Sequence, residues 1–520
     1  MTIKRLILVA LTAFALFLMG TDLISSFNKP QFQTRLALFE ADLKLHIAEF
    51  QPAGNSADAL STTFQDLVAE QRSPLQPALA QYEEARQIAA QSLESSRQSL
   101  AKLETAWQSQ HPPSEPEKQQ LNQQTQLVAT QQTTLEEITI RQGILKVRIE
   151  QDPQSALEIW QGLDEPLTPQ TAELLPVLQG LWSDPIQLQP EAEAIVKRSL
   201  DGWYRYQALK RLYEAEQRSE AIATLQAQEQ QKAAEVMTKV GFSGLLSFAA
   251  IVTGSLSLLG LLVQWGLKRK ESAIGSLSTI RWTVPWDWES VWLVLAVGFF
   301  FCGQILIGAL IAPLLVEFLG SVGISGALAQ GIQAIGVYSC LAIAGLTTLY
   351  LVLKPHRPLP QDWFQVKWQG RGFLWGVGGY LMAFPLVILV SLLNQQIWQG
   401  QGGSNPLLPI ALQSQDNTAK ILFFVTAAVF APIFEEILFR GFLLPSLTRY
   451  VSNWNAILLS SFLFALVHLS LSEVLPLTVL GIVLAFVYTR TQNLLAPILL
   501  HSLWNGGTLI SLFLLGSAAR

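Results

Sequence analysis

The chain has 520 residues, half of them hydrophobic, and a formal net charge of −5. This length leaves room for more than one domain, and the acidic balance gives no reason to expect a nucleic-acid partner. Its two cysteines, Cys302 and Cys340, both lie in apolar runs, which excludes a disulfide framework as the stabiliser of the polar regions.

The first apolar run, residues 6–24, predicts a membrane helix, because a span needs roughly 20 mostly apolar residues. Lys4 and Arg5 precede it, as basic residues precede a signal peptide, but no small-x-small cleavage site follows. We therefore predict that residues 1–26 form an uncleaved N-terminal membrane anchor.

Residues 27–238 are polar and rich in Gln, Glu and Ala, which predicts an almost wholly helical soluble domain. Within residues 79–147, the break at residues 111–113 predicts two long antiparallel helices. Residues 140–163 and 203–225 each predict two short helices around a polar turn, a weak similarity to tetratricopeptide pairs, which bind protein partners. An ordinary helical domain or a coiled-coil stalk explains the same pattern, so both interpretations stay open.

Eight further apolar runs follow, one within residues 239–270 and the others in a bundle at residues 285–516. Together with the anchor they predict an all-α protein, a polytopic membrane helix bundle of about nine spans with an inserted helical soluble domain. The eight predicted spans are residues 240–267, 288–319, 324–353, 373–393, 421–444, 456–471, 475–489 and 494–515.

The orientation follows from the short-loop lysines and arginines, which stay on the cytoplasmic side. With the N-terminus inside, nine spans leave only Lys420 and Arg520 on the outer face among the basic residues of the short loops and the C-terminal end. We therefore predict an integral membrane protein in the lipid bilayer, with the soluble domain on the non-cytoplasmic side. The basic residues that then lie inside are Lys4, Arg5, Lys268, Arg269, Lys270, Lys354, Arg357, Lys367, Arg371, Arg449 and Arg490.

Two adjacent acids, Glu435 and Glu436, interrupt the apolar run at residues 421–444. Burying an ionised carboxylate at bilayer depth costs on the order of 3 kcal/mol, so two adjacent acids there indicate a functional site. Glu436 and Arg440 lie four residues apart, which predicts an ion pair on one helix face. Glu435 points about 100° away and is free to act. A network that only holds the bundle together would explain Glu436 and Arg440, but it explains Glu435 less well.

Two later apolar runs each contain one histidine. His468 follows Phe464 by one helical turn, and His501 precedes Asn505 by one turn, so each pair shares a helix face. A lone histidine in an apolar run is more often a packing residue, but here two histidines accompany the paired acids. We therefore interpret the last hundred residues as containing one buried polar site.

Three motifs thus occur in order: Glu-Glu-x-x-x-Arg at residues 435–440, Phe-x-x-x-His at residues 464–468 and His-x-x-x-Asn at residues 501–505. In these motifs the chain resembles the CAAX-processing and bacteriocin-processing (Abi-type) intramembrane proteases, a family that includes the prenyl-protein endopeptidases. The resemblance covers roughly residues 288–515 and leaves out the polar half and the first two spans.

The resemblance implies that Glu435 and His468 activate the attacking water and that His501 and Asn505 stabilise the oxyanion. Glu436 and Arg440 match the positions that support the site by pairing, and Phe464 belongs to the second motif as a supporting residue. These roles suit peptide hydrolysis, which needs a base for water and donors aimed at the developing oxyanion.

A zinc cofactor is an open alternative. Glu435, His468 and His501 are ligand types that suit zinc, whose catalytic sites use three protein ligands and a water. Their spacing is not the His-Glu-x-x-His arrangement, and the family has been described both as metalloproteases and as glutamate-dependent enzymes. The metal-independent glutamate mechanism is preferred.

The leading hypothesis is an intramembrane endopeptidase that cleaves a membrane-associated protein or peptide, with the soluble domain recruiting substrates or a protein partner. No residue shows that the substrate is prenylated. One alternative is a non-catalytic membrane binding or immunity protein that uses the soluble domain as a receptor. Another is a transporter or proton-coupled channel, since buried acids and histidines also build proton relays, although the spans show no internal repeat.

Overall fold

The computed structural model describes residues 2–518 apart from 28, 30, 52–73, 109–114, 164–165, 362, 369, 406 and 415. Within these residues all regular structure is helical and no strand occurs. The predicted all-α class is therefore confirmed. The helix break predicted at residues 111–113 lies outside the described residues.

The helices are labelled in chain order, with adjoining α- and π-helical stretches joined under one label. Their bounds are α1 Ile3–Ser26, α2 Phe32–Ala48, α3 Leu75–Gln108, α4 Glu115–Glu150, α5 Gln154–Gln161, α6 Pro169–Trp182, α7 Ala192–Ser199, α8 Gly202–Ala215, α9 Ser219–Lys268, α10 Trp288–Ser321, α11 Gly326–Leu353, α12 Gly372–Trp398, α13 Leu407–Gln413, α14 Asn417–Leu447, α15 Asn453–Leu466, α16 Leu471–Thr491 and α17 Leu495–Ala518.

The chain divides into two compact units, which we call the membrane unit and the polar unit. The membrane unit combines Met1–Phe32 with Ser243–Gly516, and the polar unit combines Gln33–Phe242 with Ser517–Arg520. Helix α1, predicted as a separate anchor, therefore belongs to the same unit as the C-terminal bundle.

Eight helices in the described part of the chain are long and apolar enough to cross a membrane. They correspond to eight of the nine predicted spans. The remaining predicted span, residues 456–471, is the shorter apolar helix α15, which has 14 residues. Helix α15 ends before His468, because the chain turns at Leu469, whose φ of 55° lies in the left-handed region.

The long helices α3 and α4 lie antiparallel in the polar unit. The Gln124 side chain of α4 donates a hydrogen bond of 3.1 Å to the Ser96 carbonyl of α3. The Asp42 carboxylate accepts hydrogen bonds both from Tyr82, near the start of α3, and from Arg141, toward the end of α4. A later residue of α4 thus lies near an earlier residue of α3, so the two helices are antiparallel, as the sequence predicted.

The two helical pairs predicted around polar turns are α4–α5 and α8–α9. Both turns contain a glutamine with positive φ, 57° at Gln151 and 54° at Gln217. A residue in this left-handed conformation is a common way to end a helix. The two turns are therefore alike in backbone as well as in sequence, while a partner-binding role for these pairs stays a prediction.

A polar cluster centred on Asp42 lies inside the polar unit. The Asp42 carboxylate accepts hydrogen bonds from the Tyr82 hydroxyl at 2.6 Å, the Tyr204 hydroxyl at 3.0 Å and the Arg141 guanidinium at 2.8 Å. Burial raises the pKa of Asp42, and the Arg141 charge and both hydroxyls act in the opposite direction. One carboxylate thus joins α2, α3, α4 and α8.

We expect Asp42→Ala to destabilise the polar unit by about 1–3 kcal/mol, because Arg141 and two buried tyrosine hydroxyls lose the partly buried carboxylate that they share. The measurement is denaturant unfolding of the full chain in detergent, with hydrogen exchange reporting on α2–α8.

Asp201→Ala is the matched control, since Asp201 binds the same Arg141 at 2.9 Å through a side chain that is 74% exposed. We expect this control to change stability by less than about 0.5 kcal/mol. Equal losses for the two variants would contradict a structural role for the buried cluster.

Candidate active site

Helix α14 contains the paired acids between two stretches of π-helix. Ala431–Glu436 is α-helical, whereas Thr426–Phe430 before it and Ile437–Leu443 after it are π-helical. Stretches of π-helix inside α-helices occur frequently at functional sites. The acids therefore lie on a short α-helical turn that is irregular at both ends.

Glu436 is the centre of a buried ion network. Its Oε1 atom accepts hydrogen bonds from the Arg440 guanidinium at 2.9 Å and from His501 Nδ1 at 2.8 Å. Because an ionised carboxylate can only accept, the Nδ1 proton is assigned to His501. Glu436 and Arg440 are 0% exposed. The structure thus contains the ion pair within one helix and adds a contact to His501 that spacing alone did not predict.

Phe464 packs against several members of this network. The Arg440 guanidinium lies 4.3 Å from the centre of the Phe464 ring, and the His468 and His501 rings lie edge-on at 5.0 and 5.7 Å. The Phe464 side chain is fully buried. A charged group over a desolvated aromatic face gains about 2 kcal/mol, so Phe464 stabilises Arg440 and fixes both imidazoles in place.

Glu435 differs from Glu436 in its partners. Its Oε1 atom accepts a hydrogen bond of 2.8 Å from the Tyr338 hydroxyl, and its Oε2 atom lies 4.0 Å from His501 Nε2. That separation is too long for a direct hydrogen bond. Among the described residues, Oε2 is buried and has no hydrogen-bond partner. Glu435 therefore presents one fixed oxygen and one oxygen that can accept a proton.

Sequence reasoning missed Tyr338. It lies in α11, 97 residues before Glu435, and belongs to none of the three motifs. A phenol within an apolar span is the only signal in the sequence, and it is weak because tyrosine often packs at the ends and interfaces of membrane helices.

His468 lies just beyond the end of α15, in the turn that precedes α16. Its Nδ1 atom lies 2.8 Å from the Phe464 carbonyl oxygen, which is an acceptor, so Nδ1 is assigned the proton. The neutral ring then has its lone pair on Nε2. His468 can therefore accept a proton or orient a water through Nε2.

Asn505 is tied to the first π-helical stretch of α14. Its side-chain amide donates a hydrogen bond of 2.8 Å to the Ala427 carbonyl, which leaves a second N–H of the same amide available. Within the described chain, no hydrogen bond joins Asn505 to His501 or His468 to Glu435. Contacts in the structure thus join five of the predicted site residues, namely Glu435, Glu436, Arg440, Phe464 and His501. His468 joins them through its contact with Phe464.

The candidate metal ligands do not form a ready metal site. Among the residues that the structure describes, no three His, Cys, Asp or Glu side chains form a group that would hold a metal ion. Catalytic zinc uses three converging protein ligands. The arrangement of Glu435, His468 and His501 does not fit that requirement, so the chemistry is derived from protein groups alone.

Residues 417–507 match the family described as type II CAAX prenyl endopeptidase Rce1-like. The resemblance predicted from the motifs over roughly residues 288–515 is confirmed for this segment. The Rce1-like segment contains all seven predicted site residues, from Glu435 to Asn505.

Three relatives match parts of this chain. YdiL of Bacillus subtilis, by its name a candidate membrane peptidase, is 29% identical over 211 residues, which cover 38% of this chain and 80% of YdiL. The membrane-embedded CAAX protease MroQ of Staphylococcus aureus is 26% identical over 183 residues, 32% of this chain and 69% of MroQ. The UPF0177 protein YxdF of Lactococcus lactis is 29% identical over 150 residues, 28% of this chain and 81% of YxdF. No solved structure matches this chain.

The buried ion pair of the Rce1-like segment can be tested by removing one charge or both. We expect Arg440→Met to lower stability by about 3–5 kcal/mol, because the Glu436 charge stays buried without its main partner. The double variant Glu436→Gln/Arg440→Met removes both charges and is expected to recover at least half of that loss. The measurement is denaturant unfolding in detergent, and a double variant no more stable than Arg440→Met would contradict the pairing.

Proposed function

We propose that this protein is an intramembrane endopeptidase that hydrolyses a peptide bond of a membrane-associated protein or peptide. The Rce1-like segment and the likeness to the named membrane peptidases support the protease class. The observation that carries the mechanism is the Glu435 carboxylate, which is bonded through Oε1 and has a buried Oε2 without a hydrogen-bond partner among the described residues.

In this mechanism Glu435 is the general base. A base must lie within reach of the water proton, and Oε2 of Glu435 is the carboxylate oxygen with spare acceptor capacity. Tyr338 fixes the other oxygen and therefore the direction in which Oε2 points. His468 Nε2 accepts a hydrogen bond from the same water and orients its lone pair toward the carbonyl carbon of the substrate.

His501 and Asn505 stabilise the oxyanion that forms when the water attacks. Because His501 already donates through Nδ1 to Glu436, its Nε2 can donate only in the imidazolium form. The ring lies between two carboxylates, with Glu436 Oε1 at 2.8 Å from Nδ1 and Glu435 Oε2 at 4.0 Å from Nε2. Asn505 contributes the amide N–H that Ala427 does not use. Such preorganised donors act strongly where water is excluded.

The proposed substrate class is a membrane-associated protein or peptide. Glu435, His501 and Asn505 lie on helices long and apolar enough to span a bilayer, so a substrate must present its scissile bond there. No residue of the site shows whether the substrate is prenylated. The polar unit, which basic-residue counts assign to the non-cytoplasmic side, is the proposed region for recruiting a protein partner.

We expect Glu435→Gln to reduce hydrolysis by about 10²–10⁴-fold while leaving the fold intact, because the amide keeps the size of the side chain but cannot accept the water proton. The measurement maps protein termini by mass spectrometry in membranes of cells that contain the parent or the variant, followed by assays of purified protein on a peptide so identified.

The matched control for this experiment is Glu317→Gln. Glu317 is an exposed acid on α10 in the same membrane unit, so its loss changes charge equally and leaves the site untouched. Termini present in the parent and in Glu317→Gln but absent in Glu435→Gln are the expected result. Identical termini in all three would contradict proteolysis and favour a non-catalytic binding or immunity protein.

We expect Tyr338→Phe to lower kcat about tenfold, a transition-state loss of roughly 1.4 kcal/mol, because Glu435 loses the bond that fixes its orientation. KM and thermal stability should change little. Tyr350→Phe is the control, since Tyr350 lies on the same helix with its side chain exposed. An unchanged kcat for Tyr338→Phe would refute the positioning role.

A further inference from the structure

Helix α1 is held against α10 near its N-terminus. The Arg5 guanidinium lies 3.1 Å from the Glu289 carboxylate, and the Trp292 indole N–H donates a hydrogen bond of 2.7 Å to the Thr12 hydroxyl. A simple membrane anchor needs no such specific contacts with the bundle. The N-terminal half of α1 therefore has one defined position in the membrane unit.

The other end of α1 is bonded to the segment that follows His468. The Leu471 backbone N–H donates a hydrogen bond of 3.2 Å to the Ser26 hydroxyl, and the Gly402 N–H donates one of 3.2 Å to the Phe27 carbonyl. The carbonyl of the next residue, Gly403, accepts a hydrogen bond of 2.5 Å from the Ser472 hydroxyl. Helix α1 and the start of α16 are therefore fixed to each other, three residues beyond His468.

Between these two anchorages lies a cavity of about 220 Å³. Leu18 and Met19 of α1 line one side, Phe300 of α10 lines another, and Val467 and Leu469 close it toward the site. For comparison, an apolar cavity of about 150 Å³ is large enough to bind benzene. This cavity can therefore hold an aromatic or branched aliphatic group.

The position of the cavity points to its occupant. Val467 and Leu469 line the cavity and are the two chain neighbours of His468, so the cavity borders the turn that contains His468. Among the lining residues that the structure describes, Asp22 is the only charged one, and it is exposed. The cavity thus accommodates an apolar group against that turn.

We infer that α1 forms one wall of a substrate subsite, in which the cavity receives a large apolar side chain of the substrate beside the scissile bond. This inference rests on the proposed protease function and adds α1, which lies outside the Rce1-like segment, to the specificity-determining part of the molecule. Binding there places the peptide bond near His468 and uses the desolvation of the apolar side chain for orientation.

The test changes cavity size at Met19 and maps the residues that flank cleaved bonds in membranes of cells that contain the full chain. Met19→Trp fills the cavity and is expected to reduce cuts beside Leu, Met or Phe at least tenfold relative to cuts beside Ala or Gly. Met19→Ala enlarges it and is expected to shift the preference toward larger residues. Phe17→Trp and Phe17→Ala are matched controls, since Phe17 is an exposed residue of the same helix.

The outcomes separate this inference from the proposed function. Absence of parent-dependent termini would refute proteolysis itself. If both Met19 variants cut beside the same residues as the parent, or lose all cuts equally, the subsite is refuted and the protease function is not. A Met19→Trp variant with parent-like cuts but altered thermal stability in lipid relative to detergent would assign the cavity to a bilayer acyl chain and also refute the subsite.

Discussion

The Glu436 carboxylate joins the helices of the first and third motifs, because Arg440 and His501 both donate to it inside the bundle. Arg440 extends the connection by donating to the Gly481 carbonyl of α16 and by lying over the Phe464 ring of α15. Burying such charges is costly unless each is paired and bonded. The network therefore tolerates little rearrangement, and the positions of Glu435 and His501 depend on it.

The candidate catalytic residues Glu435 and His468 lie where the helices are irregular. The π-helical stretches flank the turn with Glu435, and His468 lies beyond the end of α15 in a turn with left-handed Leu469. Backbone polar groups in a membrane must find partners within the protein. Asn505 provides one of these partners at the Ala427 carbonyl, so the same side chain satisfies an irregular helix and offers an N–H to the site.

The relatives and the Rce1-like segment account for a minority of the chain. The longest match covers 38% of it. The polar unit has its own core, with Trp160, Trp203 and Tyr204 fully buried, and its own buried cluster around Asp42. These features indicate a folded domain with a specific structure and not a passive stalk. Helix α1, in contrast, is part of the membrane unit, and its contacts with the segment after His468 connect the N-terminus to the chemistry.

By itself, the sequence determined the all-α class, the apolar helices, the two turn-linked pairs and the seven candidate site residues, whose roles stay a prediction. Each of these depends on contacts between residues three or four apart or on the length of an apolar run, which local periodicity reveals. Only the tertiary structure decided that His501 binds Glu436, that Tyr338 binds Glu435 and that α1 shares a cavity with the chain neighbours of His468. These contacts join residues tens to hundreds of positions apart, and packing between helices, which no local pattern records, brings them together.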